Sequence, residues 1–278
     1  MIRRTLTTLI LLLSLGGILY LFGVHAGIWL IALLALASQH ELHRMLTTNG
    51  WRAPEGIALA SGAAVLLGPF YLAPAGLDPA MTGLGLLGIG IVLITLASLR
   101  RPAPQRMSSL AAGTLGLGLI AFPLHFFPQI VLMAEIPVEG LLLAVWVILT
   151  VKATDIGAYL AGTLLGRHKL APELSPGKTR EGAAGGLFAS ILVAGAFALI
   201  LADHLPENFS PVAAAALAAP IALVSIPSDL LESAFKREAG IKDSGKTIPG
   251  IGGAYDLSDS LVLSAPVAYI LLALVIFS

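Results

Sequence analysis

The sequence predicts an all-α, polytopic membrane protein with about nine transmembrane helices and a cytoplasmic N-terminus. The first observation is composition: 57% of the 278 residues are hydrophobic and only 12% are charged, whereas soluble domains carry roughly a quarter charged residues. The second is a series of apolar runs along the whole chain, and the third is the one-sided placement of lysine and arginine. Backbone groups in lipid must hydrogen-bond internally, so the runs are predicted to be helices.

The apolar runs define the predicted spans, because each is long enough to cross roughly 30 Å of hydrocarbon. The spans lie near residues 5–23, 26–46, 56–74, 81–99, 108–133, 139–165, 183–203, 211–235 and 258–277. Pro123 and Pro128 are expected to break or kink the fifth span. The first run resembles a signal peptide, but no clear small-residue cleavage site follows it, so it is interpreted as an uncleaved span.

Cationic residues give the predicted orientation. With the N-terminus in the cytoplasm, all of the 16 Lys and Arg residues except Lys152 fall on the cytoplasmic side. The opposite loops contain Asp78, Glu135, Glu139 and two further acidic residues but no Lys or Arg. The positive-inside rule therefore supports nine spans with the N-terminus inside and the C-terminus outside.

The chain divides by composition into two predicted regions. Residues 1–137 are rich in glycine and alanine and are predicted to be scaffold helices. A polar group, His40, Glu41, His43 and Arg44, is interpreted as a helix end at the membrane surface rather than as a histidine metal site. Residues 138–278 carry most of the charged side chains and are predicted to be catalytic, with cytoplasmic loops 166–182 and 236–257.

Charge and cysteine content exclude some kinds of function. The formal net charge is zero, so the balance of charge indicates no nucleic-acid partner. The chain contains no cysteine, which excludes disulfides and thiolate metal sites.

The sixth span and the loop after it contain the first candidate site. Lys152 and Asp155 lie one turn apart and can form an ion pair within the membrane, which alone is equally compatible with a structural role. Gly177, Lys178 and Thr179 precede a helix expected to begin near Gly182, where backbone N–H groups and an ammonium group can bind phosphate. A Walker A loop is not expected, because its first glycine is replaced by proline and no strand is predicted before it. An ordinary basic loop is the alternative.

The last 50 residues contain the strongest pattern. Asp229, Ser233, Lys236 and Arg237 share one face of the eighth span, which leads from a carboxylate within the membrane to two cations at its surface. Asp256 and Asp259 lie one turn apart at the start of the ninth span. Aspartates on two facing helices provide the oxygen ligands that Mg²⁺ prefers, with phosphate oxygens completing its shell. A solvated loop with capping aspartates is the alternative.

These residues resemble the signature of the phosphatidate cytidylyltransferase (CDP-diacylglycerol synthase) family. The matching run is Ser233-Ala-Phe-Lys236-Arg237-x4-Lys242-Asp243-Ser-Gly245-x2-Ile-Pro249-x2-Gly252-Gly253-x2-Asp256-x2-Asp259. The resemblance extends to Asp155-x-Gly157-Ala-Tyr159, His168-Lys-Leu-Ala-Pro and Ser175-Pro-Gly-Lys178-Thr179, and covers most of residues 150–265.

Three positions depart from the family pattern. Ile251 and Leu257 stand where the family carries His and Arg, and Arg180 stands where an aromatic residue is usual. The retained carboxylates and lysines favour the survival of metal and phosphate binding. The replaced His and Arg bear on rate, substrate preference or activity.

The resemblance implies transfer of a cytidylyl group from CTP to phosphatidic acid, which gives CDP-diacylglycerol and pyrophosphate. It further implies a multi-pass protein of the inner cell membrane, with its active site facing the cytoplasm and no nucleic-acid partner. Mg²⁺ is the expected cofactor, with Asp229, Asp256 and Asp259 as its ligands and a second cation as an option. A homodimer through small-residue helix faces is compatible with the sequence.

The resemblance also assigns roles to individual residues. The expected catalytic residues are Asp229, Asp256, Lys236, Lys242 and Asp243. The expected substrate-binding residues are Asp155, Ser175, Lys178, Thr179, Ser233, Arg237, Gly252 and Gly253.

Three other functions remain open at this point. A cation-coupled transporter would use Lys152, Asp155, Asp229 and Glu232 as an ion path. A degenerate paralogue that binds nucleotide or lipid without catalysis is motivated by Ile251 and Leu257. The third is a cytidylyltransferase that acts on a different phospholipid.

Overall fold

The structure, a computed structural model, describes residues 2–245, 247 and 252–277, and side chains at 17, 19 and from residue 21 onward within these ranges. The described chain is mostly helical. The helices are α1 (Ile2–Thr48), α2 (Glu55–Leu72), α3 (Pro79–Leu99), α4 (Ala103–Gly116), α5 (Phe122–Leu124), α6 (Phe126–Val131), α7 (Pro137–Leu165), α8 (Arg180–Ile200), α9 (Pro211–Glu238) and α10 (Ala254–Ile276). Two short strands, β1 (Lys169–Ala171) and β2 (Ser175–Thr179), form an antiparallel hairpin.

The predicted fold class, an all-α polytopic membrane protein, is confirmed. Within the described residues, eight helices are long and apolar enough to cross a membrane, and they match the second to ninth predicted spans. The first predicted span, 5–23, lies in the N-terminal part of α1, where Gly23 with φ 57° and ψ −140° interrupts the helix. The count of nine spans and the cytoplasmic N-terminus stay predictions.

The fifth span is irregular, as its prolines predict. α4 ends at Gly116 and is followed by a π-helical segment, Leu117–Ala121, and then by the short helices α5 and α6. Pro123 and Pro128 lie in these two short helices. Proline has no N–H to donate and crowds the preceding turn, so a continuous α-helix is not favoured here.

Polar side chains cap the first turns of α3 and α8. Asp78 begins α3, and its Oδ1 accepts a hydrogen bond from Met81 N at 2.8 Å. Thr179 begins α8, and its Oγ1 accepts from Gly182 N at 3.0 Å. Such caps satisfy N–H groups that have no partner within the helix. The helix after the basic loop thus begins two residues earlier than the sequence predicts.

Contacts divide the chain into two compact units. Unit 1 comprises Met1–Pro128 and Glu238–Ser258, and unit 2 comprises Gln129–Arg237 and Asp259–Ser278. The part of the signature that follows α9, residues 239–256 and called the signature segment below, therefore belongs to the same unit as the N-terminal helices. The predicted functional regions, 1–137 as scaffold and 138–278 as catalytic, are not the same division and stay predictions.

The core of unit 1 contains a polar stripe on α1. Ser38, Gln39, Glu41 and His43 are each no more than 2% exposed. Gln39 Nε2 donates to Ala58 O of α2 at 3.0 Å, and His43 lies against Gly116 of α4. Packing against α2, α4 and the signature segment buries Glu41 and His43. The position of this helix end at the membrane surface stays a prediction.

The core of unit 2 forms where α7 packs closely on α8. A Cβ at Gly157 would meet Ala189 and the backbone of Gly185 and Gly186, so small residues allow the two helices to approach. Trp146 is fully buried on α7, and its indole N–H donates to Ala194 O at 3.3 Å. This packing fixes α7, which carries Asp155, and α8, whose first turn is capped by Thr179.

Candidate active site

Three carboxylates of unit 2 meet where α9 and α10 lie side by side. One oxygen each of Asp229, Glu232 and Asp259 lies within 4.8 Å of the others. Asp229 and Glu232 are three residues apart on α9, so they share one helix face. Ser228 Oγ accepts from Leu263 N at 3.1 Å and donates to the backbone carbonyl of Asp259, which ties α10 to α9 beside the cluster.

Two lysines neutralise part of this carboxylate cluster. Lys178 Nζ lies 2.7 Å from Asp229 Oδ2, and Lys236 Nζ lies 2.5 Å from Glu232 Oε2. Glu232 is fully buried and Asp259 is 9% exposed, so their charges are costly to remove from water without cationic partners. The two lysines thus pair with Asp229 and Glu232, and Asp259 is the third carboxylate of the cluster.

A second ion pair of unit 2, on α7, is hydrogen-bonded to α10. Lys152 Nζ donates to Asp155 Oδ2 at 3.0 Å, as the sequence predicts for residues one turn apart. Asp155 Oδ1 accepts from Ser260 Oγ at 3.0 Å, and Ser260 N donates to Asp259 Oδ1 at 2.6 Å. Ser260 therefore connects Asp155 of α7 to a carboxylate of the cluster.

A cavity of about 450 Å³ opens beside the cluster within unit 2. Its lining includes Asp155, Ser175, Lys178, Thr179 and Asp229, all of which the sequence predicted as site residues. Polar groups that converge on a concave, largely apolar cavity are typical of a ligand site.

The β-hairpin brings the basic loop to this cavity. Lys169 pairs with Thr179 and Ala171 with Ser175, with an irregularity between the two positions. Glu181 anchors the hairpin to α8, because its carboxylate accepts from the backbone N–H groups of Arg167 and His168. Lys178 precedes the capped first turn of α8, so an ammonium group and a helix N-terminus lie together.

The remaining predicted residues of α9 lie near its C-terminal end. Ser233 is buried and Arg237 is exposed, with Arg237 Nε donating to Leu174 O at 3.4 Å. Together with Lys236, Arg237 gives the last turn of α9 two cations, which also suits the negative end of the helix dipole.

The other predicted residues lie in unit 1, within the signature segment. Lys242 and Asp243 are exposed, and Gly252 adopts φ +132°, a backbone conformation that favours glycine. Asp256 Oδ2 accepts hydrogen bonds from Ser244 N, Ser244 Oγ and Gly253 N at 2.8–2.9 Å. Its assignment as a metal ligand with Asp229 and Asp259 stays a prediction.

Two carboxylates were missed as site residues at the sequence level. Glu232 completes the cluster, and its spacing from Asp229 on the same helix face was the signal that could have identified it. Glu41 contacts the signature segment from α1, more than 200 residues away in the chain. A local pattern gives no signal for such a contact.

The structure describes two of the three residues that depart from the family pattern. Leu257 lies half-buried in the first turn of α10, and Arg180 is the exposed first residue of α8. Ile251 lies outside the described residues. The two lysines that pair with the cluster, and Asp259 within it, are themselves as the family pattern has them.

Comparison with known proteins identifies the family. A model described as the cytidylyltransferase family matches residues 2–275. The phosphatidate cytidylyltransferase of Pseudomonas aeruginosa is 36% identical over 268 residues, which cover 95% of this chain and 94% of that protein. That of Haemophilus influenzae is 41% identical over 130 residues, and that of Synechocystis sp. is 38% identical over 172 residues.

The last two alignments span about half the length of those relatives, 45% and 56%, whereas the Pseudomonas alignment and the family model extend over nearly the whole chain. The match thus includes the N-terminal helices as well as the signature segment. The chain belongs to the cytidylyltransferase family.

Proposed function

We propose that the protein transfers the cytidylyl group of CTP to phosphatidic acid and releases pyrophosphate, forming CDP-diacylglycerol. One observation carries the proposal: the carboxylate cluster of Asp229, Glu232 and Asp259 meets Lys178 and Lys236 beside a cavity of unit 2. Anion-binding lysines and cation-binding carboxylates in one place suit a reaction between two phosphates. The names of the relatives, all phosphatidate cytidylyltransferases, supply the nucleotide and the lipid acceptor.

The donor set of the cluster fits Mg²⁺, the cofactor that the family implies. Hard cations prefer oxygen ligands, and all three donors are carboxylates. Asp229, Glu232 and Asp259 would hold the ion, with Asp256 a further candidate from the signature. When bound, the ion would neutralise charge on the triphosphate and make its α-phosphorus a better electrophile.

The chemistry itself requires alignment more than a strong base. An oxygen of the phosphatidate phosphate attacks the α-phosphorus of CTP, a new P–O bond forms, and the bond to the departing pyrophosphate breaks. Both reactants are anionic, so bringing them together is opposed by charge repulsion. Residues that hold the reacting groups in line and neutralise their charge supply most of the acceleration.

Each residue of the site has a role in this scheme. Lys178, on the hairpin, and Lys236 and Arg237, on the last turn of α9, would bind phosphate oxygens. Thr179 and the first turn of α8 would present backbone N–H groups to the same charge. Lys242 and Asp243 of the signature segment are exposed, and their catalytic roles stay predictions from the family resemblance.

The membrane location suits the substrates. The acceptor is a lipid that moves within the bilayer, and CTP is water-soluble. A multi-pass protein whose basic loops face the cytoplasm would meet both. We propose that the protein lies in the inner cell membrane with its active site on the cytoplasmic side. A second cation and a homodimer stay predictions.

The function is tested by pyrophosphate release from purified protein in detergent or lipid nanodiscs. We expect release only when CTP, phosphatidic acid and Mg²⁺ are all present, with CDP-diacylglycerol as the lipid product. Nucleotide binding without release would contradict the proposal and favour a degenerate paralogue. Release with a different phospholipid, but not with phosphatidic acid, would correct the acceptor.

The same cluster bears on the transporter alternative, because Asp155, Asp229 and Glu232 of its ion path do lie in one unit. The discriminating measurement is turnover in detergent, where no ion gradient exists. An enzyme works there, whereas a cation-coupled transporter shows activity only in sealed vesicles with a gradient.

The orientation is tested by cysteine labelling, which the absence of native cysteine makes free of background. Gln105→Cys lies in a predicted cytoplasmic loop, and Glu207→Cys lies in a predicted opposite loop. A membrane-impermeant maleimide is applied to spheroplasts, which lack the outer membrane. It should label the Glu207→Cys variant and leave the Gln105→Cys variant unlabelled. Labelling of the first alone would reverse the proposed orientation.

A further inference from the structure

Glu41, near the end of α1, is a buried carboxylate that the proposed chemistry does not use. It is 2% exposed, and it lies in the same unit as the signature segment. Four donors surround it: Thr247 Oγ1 at 2.5 Å and Ala254 N at 3.0 Å on Oε1, and Ser244 Oγ at 2.7 Å and Tyr255 N at 2.9 Å on Oε2. All four belong to the signature segment or to the first turn of the helix after it.

Two of these donors are the first backbone N–H groups of α10. Ala254 and Tyr255 open the helix, where N–H groups have no partner within the helix itself. A carboxylate is the best acceptor for them, since its charge also complements the positive end of the helix dipole. Glu41 thus caps α10 from a distant part of the chain, and Asp259 lies in the second turn of that helix.

The two hydroxyl donors fix the preceding loop to the same point. Ser244 Oγ lies 2.7 Å from Glu41 Oε2 and 2.9 Å from Asp256 Oδ2, so its single proton serves one carboxylate at a time. Either placement leaves both carboxylates with backbone donors, because Tyr255 N bonds Glu41 and Gly253 N bonds Asp256. The loop that carries Lys242 and Asp243 is therefore held at Ser244 and again at Thr247.

Two glycines of the signature allow this approach. A Cβ at Gly245 would collide with Glu41 Oε1, and a Cβ at Gly253 would collide with Ser244 Oγ and Glu41 Oε2. Side chains at these positions would force the carboxylate away from its donors. The glycine spacing of the signature is thus explained in part by a residue outside the signature.

We propose that Glu41 is a positioning residue for the cytidylyl transfer: it holds the signature segment, and with it Lys242 and Asp243, in the arrangement that the reaction requires. This inference rests on the proposed function for its effect on turnover. The arrangement of the loop itself is measurable without activity.

The test is Glu41→Gln, which keeps the size of the side chain but replaces one acceptor oxygen with an NH₂ group. That group faces a backbone N–H and cannot accept from it. Leaving a buried donor without an acceptor should lower kcat/KM for CTP roughly ten- to hundredfold. Hydrogen–deuterium exchange of peptides from 242–256 should become faster, while exchange in unit 2 stays as in the wild type.

The matched control is Glu55→Gln. Glu55 begins α2 in the same unit and bonds His40 at 2.6 Å, away from the signature segment. We expect wild-type turnover and wild-type exchange at 242–256. A loss in Glu55→Gln equal to that in Glu41→Gln would show a general effect of removing acidic charge and would overturn the proposal.

A second variant covers the case in which Glu41→Gln does not fold. Thr247→Ala removes one hydroxyl donor and leaves the carboxylate in place, so we expect a several-fold loss and faster exchange at 242–256. If both variants fold, their combination should cost less than the product of the single effects, since they act on one hydrogen-bonded group. Wild-type turnover and exchange in Thr247→Ala and in any folded Glu41→Gln would overturn the proposal.

The measurements separate this inference from the proposed function. A wild-type protein with no pyrophosphate release would refute the function, yet faster exchange in Glu41→Gln would still show that Glu41 holds the loop. An active wild type with unchanged exchange in Glu41→Gln would refute the positioning role alone.

Discussion

The carboxylate cluster of unit 2 and the buried Glu41 of unit 1 have different surroundings. In unit 2, Asp229 and Glu232 pair with lysines and lie within 4.8 Å of a third carboxylate, Asp259. In unit 1, Glu41 is surrounded by four neutral donors, two hydroxyls and two backbone N–H groups. The side chains are all carboxylates, but those of the cluster contact charged ammonium groups, whereas Glu41 contacts uncharged hydroxyl and N–H groups.

This difference separates two kinds of function. A carboxylate that accepts several neutral hydrogen bonds is fixed, because each donor belongs to a backbone or side chain with a set position. Carboxylates close to one another and to lysines are held by charge, and a metal ion or a phosphate can exchange into such pairs. Unit 2 is therefore suited to ligand binding, and the Glu41 contacts of unit 1 are suited to holding a loop.

Asp259→Asn is the variant with the largest expected effect, because it removes one anionic ligand from the cluster at nearly constant volume. We expect kcat for pyrophosphate release to fall about a thousandfold, the upper range for loss of one electrostatic group in an active site. The Mg²⁺ concentration for half-maximal activity should rise.

The matched control for this change is Asp203→Asn. Asp203 is exposed in the short 3₁₀ helix Ala202–His204 of the same unit and lies outside the cluster. It should retain wild-type turnover and Mg²⁺ dependence. Activity of Asp259→Asn within tenfold of the wild type would show that the cluster is not the metal site.

Much of the fold was predictable from the sequence, because apolar runs of membrane-spanning length leave few alternatives to helices. The hairpin was not predicted, since β1 and β2 have three and five residues and no alternating apolar pattern. The hairpin is held to α8 by the Glu181 carboxylate, which accepts hydrogen bonds from the backbone N–H groups of Arg167 and His168.

The site was predictable where its residues are close in sequence. Asp229 and Lys236 share a helix, so their spacing indicates a common face. Lys178 was predicted as a phosphate ligand, but its ion pair with Asp229 depends on packing of separate segments. Glu41 was missed because its donors lie about 200 residues later, and only the folded chain brings them to α1.

Lys178→Gln should have the next largest effect, because it removes the ammonium group beside Asp229. Loss of a charged hydrogen bond to phosphate should lower kcat/KM for CTP roughly ten- to hundredfold, corresponding to about 1.5–3 kcal/mol. Titration of initial rates against CTP measures this change.

Lys169→Gln is its control on the same hairpin. Lys169 is exposed in β1 and lies outside the residues that line the cavity. It should behave as the wild type. Equal losses in the two lysine variants would indicate that the hairpin attracts nucleotide by its overall charge, without a specific contact from Lys178.

Gly253→Ala should have an intermediate effect and tests unit 1. The added methyl group would collide with Ser244 Oγ and Glu41 Oε2, so the signature segment must shift. We expect about a tenfold loss of turnover, in line with about 1–2 kcal/mol of displaced hydrogen bonding. Gly56→Ala, in α2, has open space for its methyl group and should not change turnover. Equal turnover in both variants would contradict the loop-holding role of unit 1.

Trp146→Phe should have the smallest effect on activity and tests whether packing and chemistry are separate within unit 2. It removes the indole N–H bond to Ala194 O and reduces the edge contact with Phe209, whose ring centroid lies 5.0 Å away. We expect about 1 kcal/mol lower stability, measured by thermal unfolding in detergent, and turnover within about twofold of the wild type. Trp29→Phe, at an exposed tryptophan of α1, should change stability less.

A large loss of turnover at wild-type stability in Trp146→Phe would mean that α7 and α8 transmit packing directly to Asp155 and Lys178. The division between charged ligand groups and their scaffold would then fail inside unit 2.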